Sequence, residues 1–249
     1  MRLVKGALLA FALATTAAAQ SQEPPIADTR LTVHTLLRED VFAGFLDNNM
    51  DRLARAERNV DTLLKERPTE RANLLAWRGG IELQHAVRAH EAGKAAEFAA
   101  NFQKAKNSFA EAGKLSAGTD GVAPITGGSY AVFADRLPQE HRAAAWQQAY
   151  DSYSMLWKAQ NAQLEKMPVH FKGEVLAGMA QSAQRTGRAD ESAQFVDRML
   201  TMLAGTAFEQ TARQWKDDPK SAASSNLTCK NCHAPGRLSA RLATLNKAQ

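Results

Sequence analysis

The 249-residue sequence contains two cysteines, too few for the disulfide framework that holds small secreted domains together. Runs of β-branched residues are almost absent, which removes the usual signature of a sheet. Beyond the N-terminus no apolar run approaches the ~20 positions that a membrane-spanning helix needs, so no integral membrane segment is expected in the mature chain. There is no glycine-rich phosphate loop, nucleophile elbow or metal-binding helix motif, and the carboxylates form no recognisable acid–base pair.

What is present begins with a leader. Arg2 and Lys5 precede an apolar run from Ala7 to Ala14 and the small residues Ala17, Ala18 and Ala19. Positive flank, short apolar core and small-residue site stand in the order of a secretory signal peptide, with cleavage expected after Ala19. A periplasmic or otherwise exported location follows, and it argues against nucleic acid as a partner. Residues 1–19 include no acid, so their removal lowers the formal charge from +5 to +3. That charge is uneven, because Lys220, Lys230, Arg237, Arg241 and Lys247 follow Pro219 with no Asp or Glu among them. A positive end of this kind either steers an acidic partner or offsets acidic groups on a cofactor.

Ala, Leu, Gln, Glu, Arg and Lys dominate, and apolar residues recur at spacings of three and four, which predicts an all-α fold. Val33, Leu36, Leu37, Val41 and Phe45 mark one helical face, residues 47–49 a turn, and Leu53, Ala56, Val60 and Leu63 a second face that Pro68 ends. A further helix opens at Thr69 and Glu70 and carries Leu74, Leu75, Trp77 and Leu83 toward Gly93. Residues 138–167 read as one long helix, whereas Gly118 to Gly128 shows no clear pattern. Trp77, Trp146, Trp157 and Trp215 read as core at these spacings rather than as stacking platforms. The helices end near Trp215, and the polar residues 216–226, with Pro219 among them, read as a linker. A short last helix from Leu238 to about Asn246 places Leu238, Leu242 and Leu245 on one face.

The first and last of these helical pairs resemble the tetratricopeptide repeat, a helix-turn-helix unit of about 34 residues with small residues where its helices cross. Gly44 and Ala56 take the small sites of one unit, Val60 and Leu63 its large contacts, and Pro68 closes it. In a second unit Leu176 and Met179 lead to Ala180 as the small site, Gly187 makes the turn, and Ser192, Val196 and Met199 fill the second helix. Between them Gly80 and Leu83 fit a first helix, but Ala105, Phe109 and Ala112 fit its partner only if the connection is lengthened by about a dozen residues, a misfit that elongated helices would explain. The resemblance implies stacked helical hairpins in a solenoid, followed by a short C-terminal segment. It divides the chain into a leader at 1–19, a helical body at 20–215, a linker at 216–226 and the segment 227–249.

That last segment carries both cysteines. Cys229-Lys230-Asn231-Cys232-His233 has the spacing of c-type haem attachment, in which two thiols add across the vinyl groups and the adjacent histidine coordinates iron on one face. One covalently bound haem c is expected. A disulfide or thiol redox pair and a zinc site completed by distant histidines stay open, although neither accounts for His233 as directly. Sixteen residues follow His233, none of them His or Met, so a ligand from downstream is excluded. The late placement resembles cytochromes of the c-prime type, helical bundles that often lack a sixth protein ligand.

A sixth iron ligand would come from upstream, from His34, His85, His90, His141, His170 or a methionine. Met179 and Met199 already have core positions, and no distal ligand is assigned. These resemblances imply an exported monohaem c-type cytochrome, an electron carrier more than an enzyme, whose helical body docks a redox protein. Two rivals remain: a five-coordinate haem protein that binds a small gas or peroxide, and a haem-free repeat scaffold or thiol helper.

Overall fold

The computed structural model describes residues 23–118, 121–222 and 236–247. The expected cleavage site after Ala19 and the haem-attachment motif Cys229, Cys232, His233 lie outside the described residues. Among the described residues the fold is all-α, without strands.

The first hairpin joins α1 (Val33–Asp47) to α2 (Met50–Glu66). Thr32 caps α1 by accepting the Thr35 N–H at 3.3 Å, and Asn48 ends it in the left-handed region, at φ 54°. Asn49 caps α2 in turn, accepting the Arg52 N–H at 3.1 Å. Every apolar position predicted for these two faces is buried. Gly44 permits the crossing, since a Cβ there would lie 2.7 Å from Leu53 Cβ. One charge is buried with them: Asp40 on α1, 1% exposed, accepts from Arg52 Nε at 2.7 Å and from Arg55 Nε at 2.6 Å. Charge-assisted bonds of this kind fix which face α1 turns outward.

Pro68 opens a 3-10 turn, Pro68–Glu70, that leads into α3 (Arg71–Glu91). The α3 helix pairs with α4 (Ala95–Leu115), each 21 residues long. The connection is the short turn of residues 92–94, where Gly93 takes φ 71°. Long helices, not a long connection, therefore explain why the repeat spacing fails here. The unpatterned glycine-rich stretch forms α5 (Val122–Phe133), a helix buried on nearly all sides, which leaves no period to read. Beyond Pro138, α6 (Gln139–Gln160) stops short of the expected boundary and gives way to a 3-10 segment, Asn161–Lys166. Then come α7 (Val169–Arg185) and α8 (Ala189–Met202), joined at Gly187 with φ 78°, followed by α9 (Ala207–Asp217). Ser192 Oγ donates to the Ala180 carbonyl at 2.8 Å, tying α8 to α7 at their small-residue crossing.

Adjacent helices make the main contacts, α1 with α2, α3 with α4, α5 with α6 and α7 with α8, while α3 with α5 and α6 with α7 join the pairs. One continuous apolar core runs through them. Within the expected linker, Pro219–Ala222 forms a short helix, α10, whose Ala222 is 1% exposed and which packs on α7 and α9. The closing helix α11 (Arg237–Lys247) packs on α1. Leu238 is buried, its N–H donates to Glu39 Oε1 at 2.8 Å, and Leu242 and Leu245 rest against the core.

Candidate functional site

A cleft of about 300 Å³ lies where α1, α3, α5, α6 and α7 meet α11. Its apolar wall is built from Phe42, Trp77, Ile125 and Phe171. Tyr153 closes the base, and α7 can lie across its ring only because position 178 is glycine, where a Cβ would come within 2.3 Å of Tyr153 Cε1. The polar lining comprises two imidazoles, His34 and His170, two guanidiniums, Arg38 and Arg237, and the carboxylate of Glu174.

The chain sets these groups from the backbone upward. His34 and Arg38 stand one turn apart on α1, on the same side of the helix. The start of α1 is fixed from two directions. Glu70 Oε2 accepts the Val33 N–H at 3.1 Å, and Arg67 clamps the preceding strand of chain, donating to the Leu31 and Ile26 carbonyls at 2.7 Å each. The His34 ring lies 5.3 Å from the Trp77 ring with a 38° tilt, and Phe42 meets the same indole edge-on at 6.0 Å. His170 and Glu174 come one turn apart from the start of α7, directly after Pro168.

Electrostatics follow from this packing. Loss of water, with Arg38 and His170 adding, pulls His34 down to about 4, so its imidazole is neutral and carries a lone pair at neutral pH. Desolvation also lowers His170, assisted by Arg237 and Arg38. Trp77, 1% exposed, has a buried indole Nε1 with no hydrogen-bond partner among the described residues.

A larger cleft, about 510 Å³, lies between α4, α5 and α6 and is lined by Phe102, Phe109, Tyr130 and His141. It is roomier but poorer in chemistry, and α10 and α11 make their main contacts elsewhere. No protein-family model matches the chain, and no curated protein or solved structure matches it either.

The remaining candidate ligands are scattered. His85 faces Glu57 at 3.4 Å, and His90 packs on Phe98 with ring centres 5.8 Å apart. His141, half-buried near the start of α6, packs on Phe102 at 4.8 Å. Met179 and Met199 are core residues, as their spacing predicts, and neither lines the small cleft. Trp77, Trp146 and Trp215 are buried; the half-buried Trp157 packs edge-on to Phe195 at 5.0 Å. Arg185 covers the Trp146 ring at 4.6 Å and Arg198 that of Trp157 at 5.1 Å. Among the described residues no group of three or more His, Cys, Asp or Glu is arranged to hold a metal ion, and no helix is long and apolar enough to cross a membrane. A metal centre at the small cleft would therefore need a donor brought by another segment or by a cofactor.

Proposed function

We propose that the protein is an exported monohaem c-type cytochrome that carries single electrons, with haem bound through Cys229 and Cys232 and with His233 as axial ligand. The observation that carries this reading is the position of Arg237. It follows His233 by four residues, so the two Cα atoms are at most about 14 Å apart, and it lines the small cleft. A chain of that length would let the attachment motif reach a cleft whose lining suits the group. An apolar wall would accept a porphyrin face, and Arg38 and Arg237 suit its two carboxylates.

When bound, the haem supplies one-electron chemistry through its iron. The protein's residues anchor it, exclude water from one face and neutralise its acidic edge. The hairpins α1/α2 and α7/α8 are read as tetratricopeptide-repeat-like units, and the helical body they belong to as the surface that docks a redox protein. Positive charge at the C-terminal end, including Lys230 within the motif, favours an acidic partner there.

Production with and without a cytochrome maturation system tests the reading. The expected product of the first is a chain whose intact mass includes one haem and which gives a pyridine haemochrome. A chain that leaves the same system without haem, with Cys229 and Cys232 joined as a disulfide, would favour the thiol reading instead.

A further inference from the structure

We propose that His34 is the second axial ligand of the iron, on the face opposite His233. The inference rests on the cytochrome reading above and adds to it a residue for which the sequence offers no motif.

Of the histidines among the described residues, only His34 and His170 line the small cleft, and no methionine does. The two differ in surroundings. The His34 ring is half-buried and lies against Trp77, on a helix whose first turn is held by Thr32 and Glu70 and whose middle is held by the Asp40 ion pairs. Its imidazole is therefore held in place before any ligand arrives, which is what an axial ligand needs. His170 is exposed and stands among the cations Arg38 and Arg237. Arg38 acts on His34 as well, but Arg237 acts on His170 alone, so His170 stands nearer the side where the anionic edge of a porphyrin would lie and is read as an edge group. Arg38 comes one turn, about 6 Å of helix rise, after His34 on the same face. At that offset Arg38 would meet a carboxylate of the bound group while His34 would meet its iron, one residue ligating and the other balancing charge.

The test uses the full-length, haem-loaded protein. The wild type should be low-spin in its ferric absorption and electron paramagnetic resonance spectra, and near-infrared magnetic circular dichroism should give a bis-histidine signature. In His34→Ala the low-spin bands should be lost in favour of high-spin bands, with covalent haem content unchanged, and added imidazole should restore the low-spin form. His170→Ala should stay low-spin. A high-spin wild type, a histidine–methionine signature, a low-spin His34→Ala, or a high-spin His170→Ala would each overturn the assignment. Where the His34 variant fails to fold, the bis-histidine signature of the wild type together with the spin state of His170→Ala decides it. Absence of covalent haem from the wild type would remove the cytochrome reading itself and the assignment with it, and the pyridine haemochrome separates that failure from the others.

Discussion

The α3/α4 hairpin and α11 show two ways of holding a helix. The hairpin presents two 21-residue helices that bury one another along their length and pack on α5 as well. By contrast α11 has 11 residues and one buried leucine, Leu238, whose N–H donates to Glu39. An isolated helix shorter than about 12–15 residues is marginal in water, and burying one leucine contributes only about 1.5–3 kcal/mol. The hairpin is thus stable through its own packing, whereas α11 depends on what lies beside it. A covalent haem between α11 and the cleft would supply the missing contact.

Replacing Cys229 and Cys232 together by Ala tests that division most severely. Covalent haem should vanish altogether while far-ultraviolet circular dichroism retains most of the helix signal; loss of the whole signal would show that the haem organises the body too. Next in size is Asp40→Ala, which leaves Arg52 and Arg55 facing a buried gap between α1 and α2. It should cost about 3–5 kcal/mol in urea denaturation, spread over the entire body; a change under about 1 kcal/mol would mean that the ion pairs do not hold α1 in place. Leu238→Ala acts on the other region. It should cost about 2 kcal/mol locally, seen as faster amide exchange in α11 with little change in global melting.

Smaller effects sharpen the contrast. Lys230→Glu should slow electron transfer to an acidic partner roughly tenfold at low salt, with the difference shrinking as salt rises. A rate indifferent to salt, with a shifted reduction potential, would show that the charge only balances the cofactor. The least effect is expected at Glu91, whose carboxyl is held below its usual range first by hydrogen bonds from Arg136. Because the folded-state value is lowered, the pair stabilises above the ordinary glutamate range and that contribution is lost as pH falls. For Glu91→Gln the expected loss is under about 1 kcal/mol at neutral pH and none in acid, as measured by thermal melts at both pH values.

What could be read in the sequence follows from how local each signal is. The faces of α1, α2, α7 and α8 are periodic and half-buried, so spacing alone locates them. For α5 the opposite holds: burial on nearly all sides erases the period, and glycines that look like a loop instead let the helix approach α6, where a Cβ on Gly127 would lie 3.1 Å from Ser152 Cβ. Its existence is decided by tertiary packing, which overrides propensity. The same applies to the small cleft. His34 and His170 are far apart in the chain, each on a helix with no chemical motif, and only the packing of α1 and α7 on α3, α5 and α6 brings them together. The C-x-x-C-H motif is the reverse case, being explicit in sequence and lying outside the described residues. Asp40 gave no sequence signal at all, since a single acid on an apolar face looks like an interruption until its two arginines are seen.

The central claim is that a self-packed helical body seats a tethered haem in the cleft between α1 and α7. Peptide-resolved hydrogen–deuterium exchange on the haem-loaded protein and on the Cys229→Ala, Cys232→Ala variant tests it directly. Loss of haem should deprotect residues 33–42, residues 169–174 and α11, while α3, α4 and α8 keep their protection. Deprotection spread over the whole body, or unchanged exchange at the first turns of α1 and α7, would contradict it.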